Sequence, residues 1–70
     1  MSNTAKIIYI LQLIVETAGA VYRAGAYNPT DEKFTIYVDR ALDPGLVSAM
    51  DQIVKILSGK STATVEVLTS

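Results

Sequence analysis

The feature that most constrains the fold is a change of hydrophobic period along the second half of the chain. Residues 34–39 alternate strictly between apolar and polar side chains, which is the two-residue period of a half-buried strand. In residues 46–57 the apolar positions recur at helical spacing, and residues 62–68 alternate again. A strand, a helix and a strand joined by short links predict a βαβ unit in residues 33–69, with parallel strands and a right-handed crossover.

The ends of the predicted helix carry signals of their own. Asp43 stands directly before Pro44, which is typical of an N-cap residue followed by proline at the first helical position. Gly59 follows the last turn and predicts the left-handed residue that ends many helices. Both caps lie where the hydrophobic period changes. The second half of the chain therefore predicts one strand, one helix and one strand without an alternative.

Residues 5–27 fit two interpretations. As one helix capped by Thr4, they place their polar side chains on about a third of the circumference. As strands, they place their polar residues at even positions as far as Glu16, turn at residues 17–20 and continue in a second strand. The helix is favoured because its polar stripe persists longer than the alternation. We therefore expect a small single α/β (α+β) domain of order α-β-α-β, with β-β-β-α-β as the alternative if residues 6–27 form two strands.

The side chains that most often carry catalysis are missing. The chain has no cysteine and no histidine, so thiolate nucleophiles, imidazole bases and the commonest metal ligands are excluded. No serine lies in a G-x-S-x-G motif, and the carboxylates lack the spacing of a calcium loop. We therefore expect no enzymatic activity, no cofactor and no metal.

Charge argues against two classes of partner. The net charge is −1 and the six cations are never adjacent, whereas nucleic-acid binding needs clustered Lys and Arg. The longest apolar run, residues 7–15, is far shorter than the ~20 residues of a membrane-spanning helix, and Glu16 follows it directly. We therefore expect a cytoplasmic protein that does not bind membranes, and the scattered cations disfavour nucleic acid as a partner.

The hydrophobic content exceeds what a chain of this length can bury. Half of the 70 residues are hydrophobic, although a domain of about 60 residues buries only about 60% of its unfolded surface. Most of the excess falls in residues 7–21, and large exposed apolar patches are rare on monomers. We therefore expect a homodimer or larger oligomer, with an interface formed by Ile7, Ile10, Leu11, Ile14, Val15, Ala18 and Val21.

Two groups of residues are candidates for binding another protein. Tyrosine gives a large contact area at a small loss of conformational entropy, and so suits binding surfaces. The polar face of the predicted sheet would bring Tyr37 together with Thr35 and Glu66. A second cluster would combine an arginine with two tyrosines beside the loop at 28–33, which allows cation–π contacts; its members are Tyr22, Arg23 and Tyr27.

Together these observations predict a non-enzymatic, homo-oligomeric protein–protein interaction module with a structural or regulatory role. Its size and cysteine-free composition are typical of viral, phage and mobile-element accessory proteins. Two alternatives belong to other classes: a sensor with a small-ligand pocket at the oligomer interface, and a nucleic-acid-associated regulator whose oligomer aligns cations that one chain scatters.

Overall fold

Two helices and three strands make up the α+β domain seen in a computed structural model, which describes residues 3–68. The strands form one sheet of order β1-β2-β3, in which β1 pairs antiparallel with β2 and β2 pairs parallel with β3. The fold class and the parallel βαβ unit are therefore confirmed. The elements are α1 (Asn3–Thr17), β1 (Tyr22–Asn28), β2 (Lys33–Val38), α2 (Pro44–Ser58) and β3 (Thr62–Val67).

Both helices lie on the same face of the sheet. Phe34, Ile36 and Val38 share one face of β2 and are buried, in agreement with the alternation in the sequence. They form a single core cluster with residues of α1 and of α2. The opposite face of the sheet carries no helix among residues 3–68. The other members of the core are Ile7, Leu11, Val15, Ala20, Met50, Val54 and Ala63.

Residues 5–27 combine parts of both interpretations. The favoured single helix is wrong beyond Thr17, and the order α-β-α-β is corrected to α-β-β-α-β. The strand in residues 22–28 is the one that the alternative expected, whereas the segment before it is helical. The predicted helix therefore ends some ten residues too late, and its predicted cap, Thr4, lies inside α1.

A Schellman motif ends α1. The N–H of Ala20 donates to the carbonyl of Val15 at 3.3 Å, and the N–H of Gly19 donates to that of Glu16 at 3.1 Å. This pattern needs a left-handed residue between the helix and the next segment, and Gly19 has φ = 87°. Ala20 is buried beyond the turn, so the chain leaves the helix against the core.

The hairpin between β1 and β2 has two irregularities. At its tip the side-chain oxygen of Asn28 accepts from the N–H of Thr30 at 3.0 Å, and Glu32 adopts a positive φ of 51°. Near its open end Tyr22 pairs with Val38, but Ala24 already pairs with Tyr37. The intervening residue, Arg23, is therefore the extra residue of a β-bulge.

The caps predicted for α2 are confirmed. The Asp43 carboxylate accepts from the N–H of Gly45 at 3.1 Å, and Pro44 is the first helical residue. Gly59 has φ = 82° and its N–H donates to the carbonyl of Lys55 at 2.8 Å. These local bonds fix where α2 begins and ends.

Candidate functional site

An apolar groove opens between the C-terminal half of α1 and the first turns of α2. Its volume is about 350 Å³ and its lining is almost entirely hydrocarbon. The groove is open to solvent rather than enclosed. Four of its six lining residues belong to α1, one directly follows α1 and one belongs to α2: Ile10, Leu13, Ile14, Thr17, Ala18 and Leu46.

A second groove continues the first toward the other end of the helices. It has a volume of about 170 Å³ and shares Ile10 with the larger groove. Its lining includes Lys6 near the start of α1 and Leu57 near the end of α2. The start of one helix therefore lies beside the end of the other, so α1 and α2 run antiparallel. We call the two grooves together the helix cleft.

Large apolar side chains remain exposed along the helix cleft. Leu13 is 43% exposed and Leu57 is 48% exposed, although both line the cleft. Ile56, one residue before Leu57, is 80% exposed, and Tyr9 on α1 is 56% exposed. Single exposed apolar residues are common on monomers, but Leu13 and Leu57 border one apolar cleft between two helices, which is typical of an interaction site.

The structure corrects the predicted assembly residues. Leu11 and Val15 are fully buried in the core against the sheet, so they cannot present an apolar surface to another chain. Ile7 is also buried in the core, although it borders the smaller groove. Ile10, Ile14 and Ala18 line the helix cleft, so these three predicted residues lie on a surface that another chain could contact. The last predicted residue, Val21, is exposed but lies directly before β1, outside the cleft.

The first predicted partner-binding group is brought together on the open sheet face. Tyr37 pairs in register with Glu66 of β3 and with Ala24 of β1. Thr35 lies two residues from Tyr37 on the same strand and therefore on the same face. Both residues are half-buried and Glu66 is exposed. The group is a mixed polar surface on the side of the sheet that faces away from the helix cleft.

The second predicted cluster, Tyr22 with Arg23 and Tyr27, is not assembled. The ring of Tyr27 packs on Phe34 with centroids 4.5 Å apart, on the helix side of the sheet. Tyr22 lies opposite Val38 on that same side, and burial raises the pKa of its hydroxyl. Arg23 is exposed at the bulge, and in residues 3–68 it makes no cation–π contact with either ring.

Two carboxylates serve as structural acceptors. Asp39 pairs with Arg40 at 3.0 Å and accepts from the N–H of Val21 at 2.9 Å, and these bonds hold its pKa below the ordinary value. Asp51 accepts from the N–H of Ala63 at 2.9 Å and pairs with Lys55. Its pKa is lowered by the bond from Ala63 first and by Lys55 second.

The described residues offer no group of three or more acidic side chains close enough to hold a metal ion. None of the helices in this part of the chain combines the length and hydropathy needed to cross a membrane. Comparison with protein-family models, with curated proteins and with solved structures gives no match to this chain.

Sequence reasoning missed the part of the cleft that α2 contributes. The helical spacing of residues 46–57 does not distinguish the positions that cover the sheet from Leu46 and Leu57, which border α1. The available signal was the width of the apolar arc of α2. Met50 and Val54 alone are fully buried in this helix, so the flanking positions were free to serve another surface.

Proposed function

We propose that this protein is a non-enzymatic protein–protein interaction module of the cytoplasm that self-associates through the helix cleft. The observation that carries the proposal is the exposed apolar lining of that cleft, above all Leu13 and Leu57. Covering these side chains removes apolar surface from water, which contributes roughly 25 cal/mol for each Å² that is covered. A structural or regulatory role follows from such assembly rather than from a chemical step.

The test is a substitution that places a charge in the cleft. Leu57→Glu leaves the core intact because this side chain is already about half exposed. It should weaken self-association by at least about tenfold, which is ~1.4 kcal/mol, since the interface would have to bury a charged side chain in place of an apolar one. Sedimentation velocity from micromolar to submillimolar concentration measures the dissociation constant.

The matched control is Ser48→Glu, which adds the same charge to an exposed position of α2 outside the cleft. It should leave the dissociation constant within about twofold of the wild type. A wild-type chain that stays monomeric throughout the range contradicts the proposal. So does a Leu57→Glu variant that associates as tightly as the control.

A small-ligand sensor is the second candidate, because the larger groove falls within the ~300–1,000 Å³ range of ligand pockets. Its lining would select an apolar molecule or an apolar part of one. A thermal-shift screen tests this function, since a ligand that binds only the folded state raises the melting temperature. A hit that Leu13→Glu abolishes would support it, and a screen of apolar metabolites without hits would contradict it.

A further inference from the structure

Four exposed residues of α1 form one stripe along the helix, opposite its buried side. Their spacing of three, four and three residues brings them onto one face, which we call the α1 stripe. Its members are Lys6, Tyr9, Leu13 and Glu16. The two apolar side chains lie in the middle of the stripe, with the cation at its N-terminal end and the anion at its C-terminal end. Leu13 also lines the helix cleft, so stripe and cleft form one continuous surface.

The two charges of the stripe lie at the unfavourable ends of their own helix. A helix carries partial positive charge at its N-terminus and partial negative charge at its C-terminus, so Lys6 and Glu16 are each repelled by the nearer end. The first turn of α1 has no acidic residue and the last turn no basic one. Within residues 3–68 neither side chain forms a salt bridge, and the Glu16 carboxylate accepts only a 3.5 Å hydrogen bond from the Gln12 side chain.

The stripe is also symmetric about its centre. Lys6 and Glu16 each lie five residues from Leu11, and Tyr9 and Leu13 each lie two residues from it. Suppose that a second copy of the helix packs antiparallel on the stripe, related by a twofold axis at the level of Leu11 along the helix. Opposite charges then lie together at both ends. This packing would also place each tyrosine of the stripe against a leucine. At 1.5 Å per residue the two charge pairs would be about 15 Å apart along the axis.

From this complementarity we infer that the occupant of the helix cleft is α1 of a second copy of this chain, packed antiparallel to form a closed twofold dimer. The inference rests on the proposed function and adds its partner and orientation. Each Glu16 then lies near the positive end of the other copy's α1, and each Lys6 near its negative end. A parallel arrangement would instead bring like charges together at both ends, which is repulsive.

The residues of α2 complete this interface. Leu57 lies beside the Lys6 end of the cleft and Leu46 beside its other end. A second α1 lying along the cleft therefore meets apolar side chains of α2 over its length. Because the axis is twofold, the same surface is used on both copies, and no further copy can add to it.

Charge reversal tests the orientation. In the antiparallel dimer position 6 of each copy faces position 16 of the other. Lys6→Glu therefore places the new glutamate against Glu16 of the other copy at both ends of the interface, and Glu16→Lys places the new lysine against Lys6 of the other copy. Each variant alone should associate about tenfold more weakly than the wild type at low ionic strength, where screening is least. An equimolar mixture of the two should associate about as tightly as the wild type, since every site of the heterodimer then joins opposite charges. Sedimentation velocity measures all three dissociation constants.

The outcomes separate this inference from the proposed function. A wild-type dimer that Leu57→Glu weakens, but that neither charge variant changes, overturns the antiparallel orientation and leaves the cleft as the interface. A mixture that associates no better than the separate variants overturns it as well. A wild-type chain that remains monomeric overturns both. Far-UV circular dichroism at each step confirms that the variants are folded, so that weak association reports on the interface.

Discussion

Asp39 and Val21 hold the open end of the β1–β2 hairpin together by two reciprocal hydrogen bonds. The N–H of Val21 donates to the Asp39 carboxylate at 2.9 Å, and the N–H of Asp39 donates to the Val21 carbonyl at 3.2 Å. Both residues lie just outside their strands, next to the bulge at Arg23. The side chain of Asp39 therefore replaces a ladder bond at the point where regular pairing stops.

Removing this carboxylate should destabilise the protein more than removing its cationic partner. Asp39→Ala loses the bond to Val21 as well as the pair with Arg40, whereas Arg40→Gln loses only the exposed pair, and exposed pairs contribute little. Urea unfolding at neutral pH should give a lower midpoint for Asp39→Ala than for Arg40→Gln. Equal midpoints would show that the bond to Val21 adds nothing to stability.

Stability should fall in acid because two carboxylates have lowered pKa values. Hydrogen bonds from Arg40 and Val21 lower the pKa of Asp39, and the bond from Ala63 lowers that of Asp51. In the unfolded chain each pKa returns to about 3.9. Their contributions are therefore complete above this pH and are lost as the pH falls through the folded values. An Asp39→Ala/Asp51→Ala variant should lose less stability than the wild type between neutral pH and pH ~3 in urea titrations.

A close approach of α1 to the sheet makes Gly25 hard to replace. A Cβ atom at this position would lie 2.5 Å from the Tyr22 hydroxyl and 2.7 Å from a methyl group of Ile8. Gly25→Ala should therefore lower the free energy of unfolding by about 1–3 kcal/mol, as overpacking usually does. Tyr22→Phe removes the nearest atom and should recover part of this loss. Chemical denaturation of both single variants and the double variant measures the coupling, and additive losses would contradict the contact.

The second half of the fold could be predicted because its signals are local. Asp43, Pro44 and Gly59 act within one turn of the residues that they cap, and the alternation in β2 reports directly on which side chains are buried. The tyrosines of β1 could not be placed in this way. Tyr22 and Tyr27 are an odd number of residues apart, which puts them on opposite faces of a regular strand. The bulge at Arg23 brings both to the helix side, and no short-range pattern indicates it.

The sequence predicts an excess of apolar residues in α1 but not which of them line the helix cleft. Ile10 and Leu11 are neighbours in the sequence and equally apolar, but one lines the cleft and the other is fully buried. They differ by about 100° around the helix. Which of them faces the sheet depends on where β2 and α2 lie, and that is decided by contacts between distant parts of the chain.

Gly19 should be required for its backbone conformation rather than for space. It has φ = 87°, and a Cβ atom there would meet nothing within 4 Å. Gly19→Ala should therefore destabilise the protein by about 1 kcal/mol, which is the usual energy of a left-handed residue with a side chain. Gly45→Ala is the matched control, because Gly45 lies in the first turn of α2 and has no positive φ. If thermal unfolding shows equal losses for the two variants, the Schellman turn does not depend on glycine.

Reversing the charges of the α1 stripe should stabilise the folded monomer while each single reversal weakens the dimer. Lys6→Glu places an anion in the first turn of α1, and Glu16→Lys places a cation in its last turn, which suits the helix dipole at each end. Each should raise the free energy of unfolding by roughly 0.3–1 kcal/mol at low ionic strength, and added salt should remove the gain. Circular dichroism melts at the lowest workable concentration measure this effect apart from association. Lower melting temperatures would mean that Lys6 and Glu16 stabilise the single chain through contacts of their own, which would contradict the inference that they pair with α1 of a second copy.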